Sequence, residues 1–155
     1  MNGVSTSVIA VCGTLAGSAL TYLFARLTAR RAEKAAREER LRQERIAAYA
    51  AFAGAMTALR QKMISLWLVR QRDQDVAEIR AAYTEADQCG AAADHARFQV
   101  RLLTEDAELL RLADAAFGPI AALGKAADRA ELAGHETRSQ EVLTAFVEAA
   151  GRQLR

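Results

Sequence analysis

Two histidines (His95 and His135), two cysteines (Cys12 and Cys89) and one tryptophan (Trp67) are the side chains with the most specific chemistry in this chain of 155 residues. A di-metal site inside a helical bundle needs inward glutamates and two Glu-x-x-His pairs. His95 follows Asp94 directly and His135 stands four residues after Glu131, so neither completes that pair. Structural or catalytic zinc needs three or four ligands, and Cys89 with His95 supplies two at an awkward spacing. Both histidines therefore read as exposed or half-buried side chains without a metal role. Cys89 lies among small apolar residues and two positions from Asp87, an anion that disfavours a thiolate. It reads as inert packing. Glycine-rich phosphate loops, Gly-x-Ser-x-Gly elbows and Cys-x-x-Cys motifs do not occur. The carboxylates are scattered over polar faces. No catalytic residue, metal ligand or cofactor site is expected.

Charge narrows the partners. The 21 basic residues are nearly balanced by 19 acidic ones, without the basic excess of a dedicated nucleic-acid binder. One proline in an Ala-, Leu-, Arg- and Glu-rich chain favours helix almost throughout. An all-α fold follows.

The elements begin with an uncharged run of 22 residues, Val4 to Ala25, preceded by no Lys or Arg. As helix it would extend roughly 33 Å, close to the thickness of a hydrocarbon core. A cleaved signal peptide would place its basic residues before the apolar run. A buried core helix would be shorter and would not be closed by an arginine cluster. The expectation is a single-pass anchor over residues 1–25. From Arg26 to Arg45 there are eight basic and four acidic residues. The positive-inside rule then sets the N-terminus outside and the C-terminal bulk in the cytoplasm, at the cell membrane. Tyr22 and Phe24 would stand at the inner interface, and Cys12 in the span could not bridge to Cys89. Gly13, Gly17 and Thr21 form a small-residue row that would let two spans pack, the candidate for a homo-oligomer. Arg26, Arg30, Arg31 and Lys34 are candidates for contact with lipid headgroups. The alternative reading of these four is topology-setting charge on a solvated helix.

Residues 26–45 contain neither Pro nor Gly and are polar on all sides, a helical stalk continuous with the anchor. From Ile46 an apolar face repeats at Tyr49, Phe52, Ala53, Met56, Leu59, Met63, Leu66 and Trp67. Trp67 reads as core, or as a partner contact at one end of the domain. Asp75 with Glu78 reads as the cap of a second helix, whose face carries Val76, Ile79, Tyr83, Ala86, Gly90, Ala93 and Val100. Thr104 reads as the cap of a third, with Leu109, Leu110, Leu112, Phe117, Ile120 and Leu123 as its apolar set. Gly118-Pro119 should kink or break it. Gly134 reads as a stop, and Thr137-Arg-Ser-Gln140 as the capping box of a last helix. Four amphipathic helices at 46–71, 75–102, 105–132 and 137–154 with short connections predict an up-down four-helix bundle over 46–155.

The run "ARLTARRAEKAAREERLRQERIAAYAAF" followed by a small helical bundle resembles small single-pass membrane proteins of unknown function from high-GC actinobacteria. An arginine bias of 18 against three lysines agrees with that source. The resemblance implies membrane location and no particular activity. The expected function is non-enzymatic: a membrane-tethered helical interaction or scaffold module whose partner is a protein. The alternative is a sensory or regulatory domain that binds a small ligand between helices, with the Pro119 kink as a movable element.

Overall fold

The computed structural model describes residues 3–72 and 75–154, with only the helical backbone described for 3–21, 23–25 and 27. It is all-helical: α1 (Gly3–Gln71), α2 (Val76–Leu103), α3 (Ala107–Ala115), α4 (Phe117–Leu123) and α5 (Arg129–Gln153). The chain divides into two compact units, Met1–Leu41 and Arg42–Arg155. In the first, the described side chains from Thr28 to Leu41 are exposed. The second unit is a helical bundle.

Within the bundle, α1 contributes the stripe expected of it. Phe52 and Met56 are fully buried, with Tyr49, Leu59, Leu66 and Trp67 nearly so, while Gly54 faces outward. The periodicity of 3.6 residues brings these positions onto one side, and Val100, Leu109, Ile120, Leu123 and Phe146 close over them. The Phe52 ring packs against Phe146 at 4.7 Å between centroids, and the Tyr49 ring meets Phe146 edge-on at 6.2 Å. Helix direction alternates along the bundle. The α2 and α5 ends return to the start of its α1 portion, where Arg45 Nε donates to Leu103 O (2.8 Å) and Arg42 Nε to Leu154 O (3.2 Å). The far end of α1 meets the end of α4, where Trp67 Nε1 donates to Ala126 O (2.8 Å). Arg42 and Arg45, assigned from sequence to the stalk, thus cover the free carbonyls of helix C-termini, where a cation is favoured.

Helix boundaries in the second half differ from the sequence reading. Asp75 does cap α2, accepting from Ala77 N (3.4 Å). Thr104 instead ends α2, and the α3 cap is Asp106, which accepts from Leu109 N (2.9 Å). The third helix is broken at Ala116, before Gly118-Pro119, and α4 stops at Gly124. Pro119 stands at the third position of α4, where its missing N–H leaves no intrahelical bond unmade. The last helix starts earlier than expected. Asp128 is its cap, accepting from Glu131 N (2.8 Å), and the Glu131 carboxylate returns to Ala127 N (2.7 Å). This reciprocal pair does the work expected of Thr137 and Gln140. Gly134 and Thr137 lie inside α5, where the Thr137 hydroxyl donates to Ala133 O (3.1 Å).

A direct test of that boundary follows. Gly134 is exposed, and a Cβ there would meet nothing within 4 Å. Gly134→Ala should stabilise the chain by about 0.5–1 kcal/mol, because glycine in a helix interior has more freedom to lose on folding. Thermal unfolding should shift up by about 1–4 °C. A downward shift would mean that a helix ends at Gly134 after all.

One expectation about the opening stretch needs correction. No described helix is long and apolar enough to cross a membrane. This finding overturns the placement of the chain as a single-pass protein at the cell membrane. In the described part of α1 from Arg26 onward the length is present, but charges are dense from Arg26 to Arg45, and Arg60 and Lys62 close the uncharged run Ile46–Leu59 at 14 residues, too short to span. The side chains of residues 4–25, on which the anchor was placed, lie outside the described ones apart from Tyr22, which is exposed. Gly13, Gly17 and Thr21, the row read as a pairing face, lie outside them as well.

Candidate functional site

The histidines and the cysteine are spread apart in the bundle. His95 is exposed and within 3.2 Å of Gln99 Nε2, one turn on. His135 is half-buried beside Glu131 at 3.4 Å. Cys89 is half-buried and free. Among the described residues no three His, Cys, Asp or Glu side chains stand together as metal ligands would. Arg26, Arg30, Arg31 and Lys34 are separate exposed side chains, with Lys34 3.8 Å from Glu38. Their expected contact with lipid headgroups rested on an adjacent span. Trp67 is buried and hydrogen-bonded, so it is core and not a partner contact.

What the bundle does present is a surface groove of about 530 Å³. Leu59, Met63 and Leu66 of α1 line it together with Phe117, Ile120 and Ala121 of α4. Its third side is α2, from Tyr83 through Ala86, Asp87, Gly90 and Ala91 to Asp94. These positions follow the helical repeat, so they form one strip about 16 Å long at 1.5 Å per residue. The sequence reading assigned Tyr83, Ala86 and Gly90 to a buried face. In the structure Ala86 is buried, Gly90 is half-buried and Tyr83 keeps 45% of its surface exposed. The α2 face is thus only partly covered. It is well packed toward its C-terminal end, at Ala93, Ala96 and Val100, and open toward its N-terminal end.

The two ends of the strip differ electrostatically. Asp94 accepts from Arg97 (2.9 Å), and Arg97 also reaches Asp114 of α3 (3.4 Å) while its guanidinium stacks over Phe117 (4.9 Å). Arg101 binds the same Asp114 (2.6 Å), so α2 and α3 are tied there. Asp87 has no ion pair or hydrogen bond to its carboxylate among the described residues. On the α1 side, Lys62 and Glu85 pair at 2.7 Å, and this hydrogen bond raises the Lys62 pKa above its ordinary value. The Lys62 contribution is therefore intact below the ordinary lysine range and is lost as pH climbs through the raised value. From Asp75 to Asp94 the sequence holds five carboxylates and one basic residue, Arg80; of these only Asp87 and Asp94 line the groove, and Asp94 is paired with Arg97. The groove is apolar on its floor and carries the unpaired carboxylate of Asp87 on its α2 side.

The fold and this surface define a class: an all-α bundle with an open, acid-sided apolar groove. A family model described as KilB plasmid transfer protein matches residues 46–154, the bundle from its first core residues almost to its end. The chain belongs to the KilB plasmid transfer protein family. No curated protein and no solved structure gives a significant match.

The missed signal for the groove lay in the spacing of Tyr83, Asp87, Gly90 and Asp94, which mixes aromatic, acid and glycine on one helical strip. A face meant wholly for the core would have larger apolar residues at those places.

Proposed function

We propose that this chain is a non-enzymatic helical interaction module that serves plasmid transfer by binding another protein. The observation that carries this reading is the family match, which coincides with the bundle and not with the preceding charged segment. The packing supports it. The core is filled by Phe52, Met56, Phe146 and their neighbours, so chemistry on a partner would have to occur at the surface. Several arginines of the bundle are engaged in structure: Arg97 and Arg101 hold Asp114, Arg111 holds Glu108, and Arg42 and Arg45 cover helix ends. The hydrogen bond from Arg111 keeps the Glu108 carboxyl below its usual range.

The test is genetic. Removing the coding sequence from a plasmid that carries it should lower transfer frequency at least about tenfold, and supply of the full chain in trans should restore it. Transfer that continues unchanged without the chain would refute the reading.

A further inference from the structure

We infer that the groove between α2 and α4 is a docking site for a basic amphipathic helix of a protein partner. The inference rests on the interaction-module reading above and names its surface. Shape is the first argument. The groove runs three turns along α2, and its α2 side is made of Ala86, Gly90 and Ala91, residues small enough to let a second helix axis come close. A Cβ at Gly90 would meet nothing within 4 Å, so the space above it is open. Tyr83, half exposed at one end, is the type of rigid aromatic that anchors such interfaces.

Charge is the second argument, and it selects the occupant. The carboxylate of Asp87 stands midway along the strip without a partner among the described residues, whereas Glu85 and Asp94 on either side of it are already paired with Lys62 and Arg97. A helix with apolar residues at i, i+4 and i+7 would cover Leu59, Met63 and Ile120, and a flanking Arg or Lys would pair with Asp87. The chain's own basic segment, 26–45, does not meet this description, because it is polar on every side. That segment of a second copy is therefore not the occupant.

The test uses the full chain and two stapled helical peptides of about 14 residues, enough for nearly four turns. Both carry leucines at i, i+4 and i+7. One has arginines flanking that face and the other has glutamates in the same places. Binding is read by fluorescence anisotropy and by shifts of the amide signals of α2 and α4. The arginine peptide should bind at least about tenfold more tightly than its acidic twin. Asp87→Arg should reverse that order. Gly90→Leu, which fills open space and removes a helix glycine, should block both peptides and leave the melting midpoint unlowered. Equal binding of the two peptides, or shifts confined to other helices, would overturn the proposal. So would binding of tetraphenylphosphonium in the groove with no binding of either peptide, which would make it a pocket for small organic cations. The peptide result does not depend on transfer. Failure here with transfer still requiring the chain removes the groove alone, whereas transfer without the chain removes the wider reading alone.

Discussion

Phe52→Ala should cost about 3–5 kcal/mol of stability, the range for truncating a large buried aromatic. Phe52 has no solvent exposure, and its ring lies between Phe146 of α5 at 4.7 Å and Phe117 of α4 at 6.3 Å. Truncation removes both ring contacts and leaves a void where three helices meet. Native domains are stable by about 5–15 kcal/mol in total, so the loss is a large fraction of what holds this bundle. Urea unfolding of the full chain, followed by helix circular dichroism, should show a midpoint well below that of the parent. A change under about 1 kcal/mol would mean that α4 and α5 do not converge on this ring. Gly54→Ala, two positions on and exposed, is the matched control and should not destabilise.

Trp67→Ala should have a comparable effect, about 3–5 kcal/mol, at the opposite end of the bundle. The indole is 6% exposed and its N–H donates to Ala126 O in the connection between α4 and α5. Truncation removes the packing and leaves that carbonyl without its donor. Trp67→Phe separates the two contributions. It keeps most of the apolar area, so its cost should be smaller, about 1–3 kcal/mol for a polar group left unpaired. If Trp67→Ala instead left stability unchanged while weakening partner binding, the residue would be an interface anchor. Its burial in the bundle argues for the first outcome.

The apolar stripes were legible in the sequence wherever a helix buries one face along its whole length. Tyr49, Phe52, Met56, Leu59 and Trp67 repeat at three and four, and the structure buries all of them. The cap at Asp75 was legible because an acid sits directly before the helix and Glu78 follows three residues later. Composition suggested a membrane span in the opening stretch; among the described residues no helix is long and apolar enough to cross a membrane.

Residue type and spacing by themselves determined that the chain is helical and which side of α1 faces inward. Local propensity and a period of 3.6 suffice for these, since they depend on neighbours within a few turns. Only the tertiary structure decided where the last helix begins. Two capping boxes compete within thirteen residues, Asp128 to Glu131 and Thr137 to Gln140. The earlier one prevails as Leu132, Ser139 and Leu143 are buried along one continuous helix. Tertiary structure likewise decided that Arg42 and Arg45 belong to the bundle, for their partners are carbonyls more than fifty residues away. The groove is of the same kind. Tyr83 and Gly90 carry an apolar period that would suit a core, and only the separation of α4 from α2 leaves that strip open, with the carboxylate of Asp87 beside it.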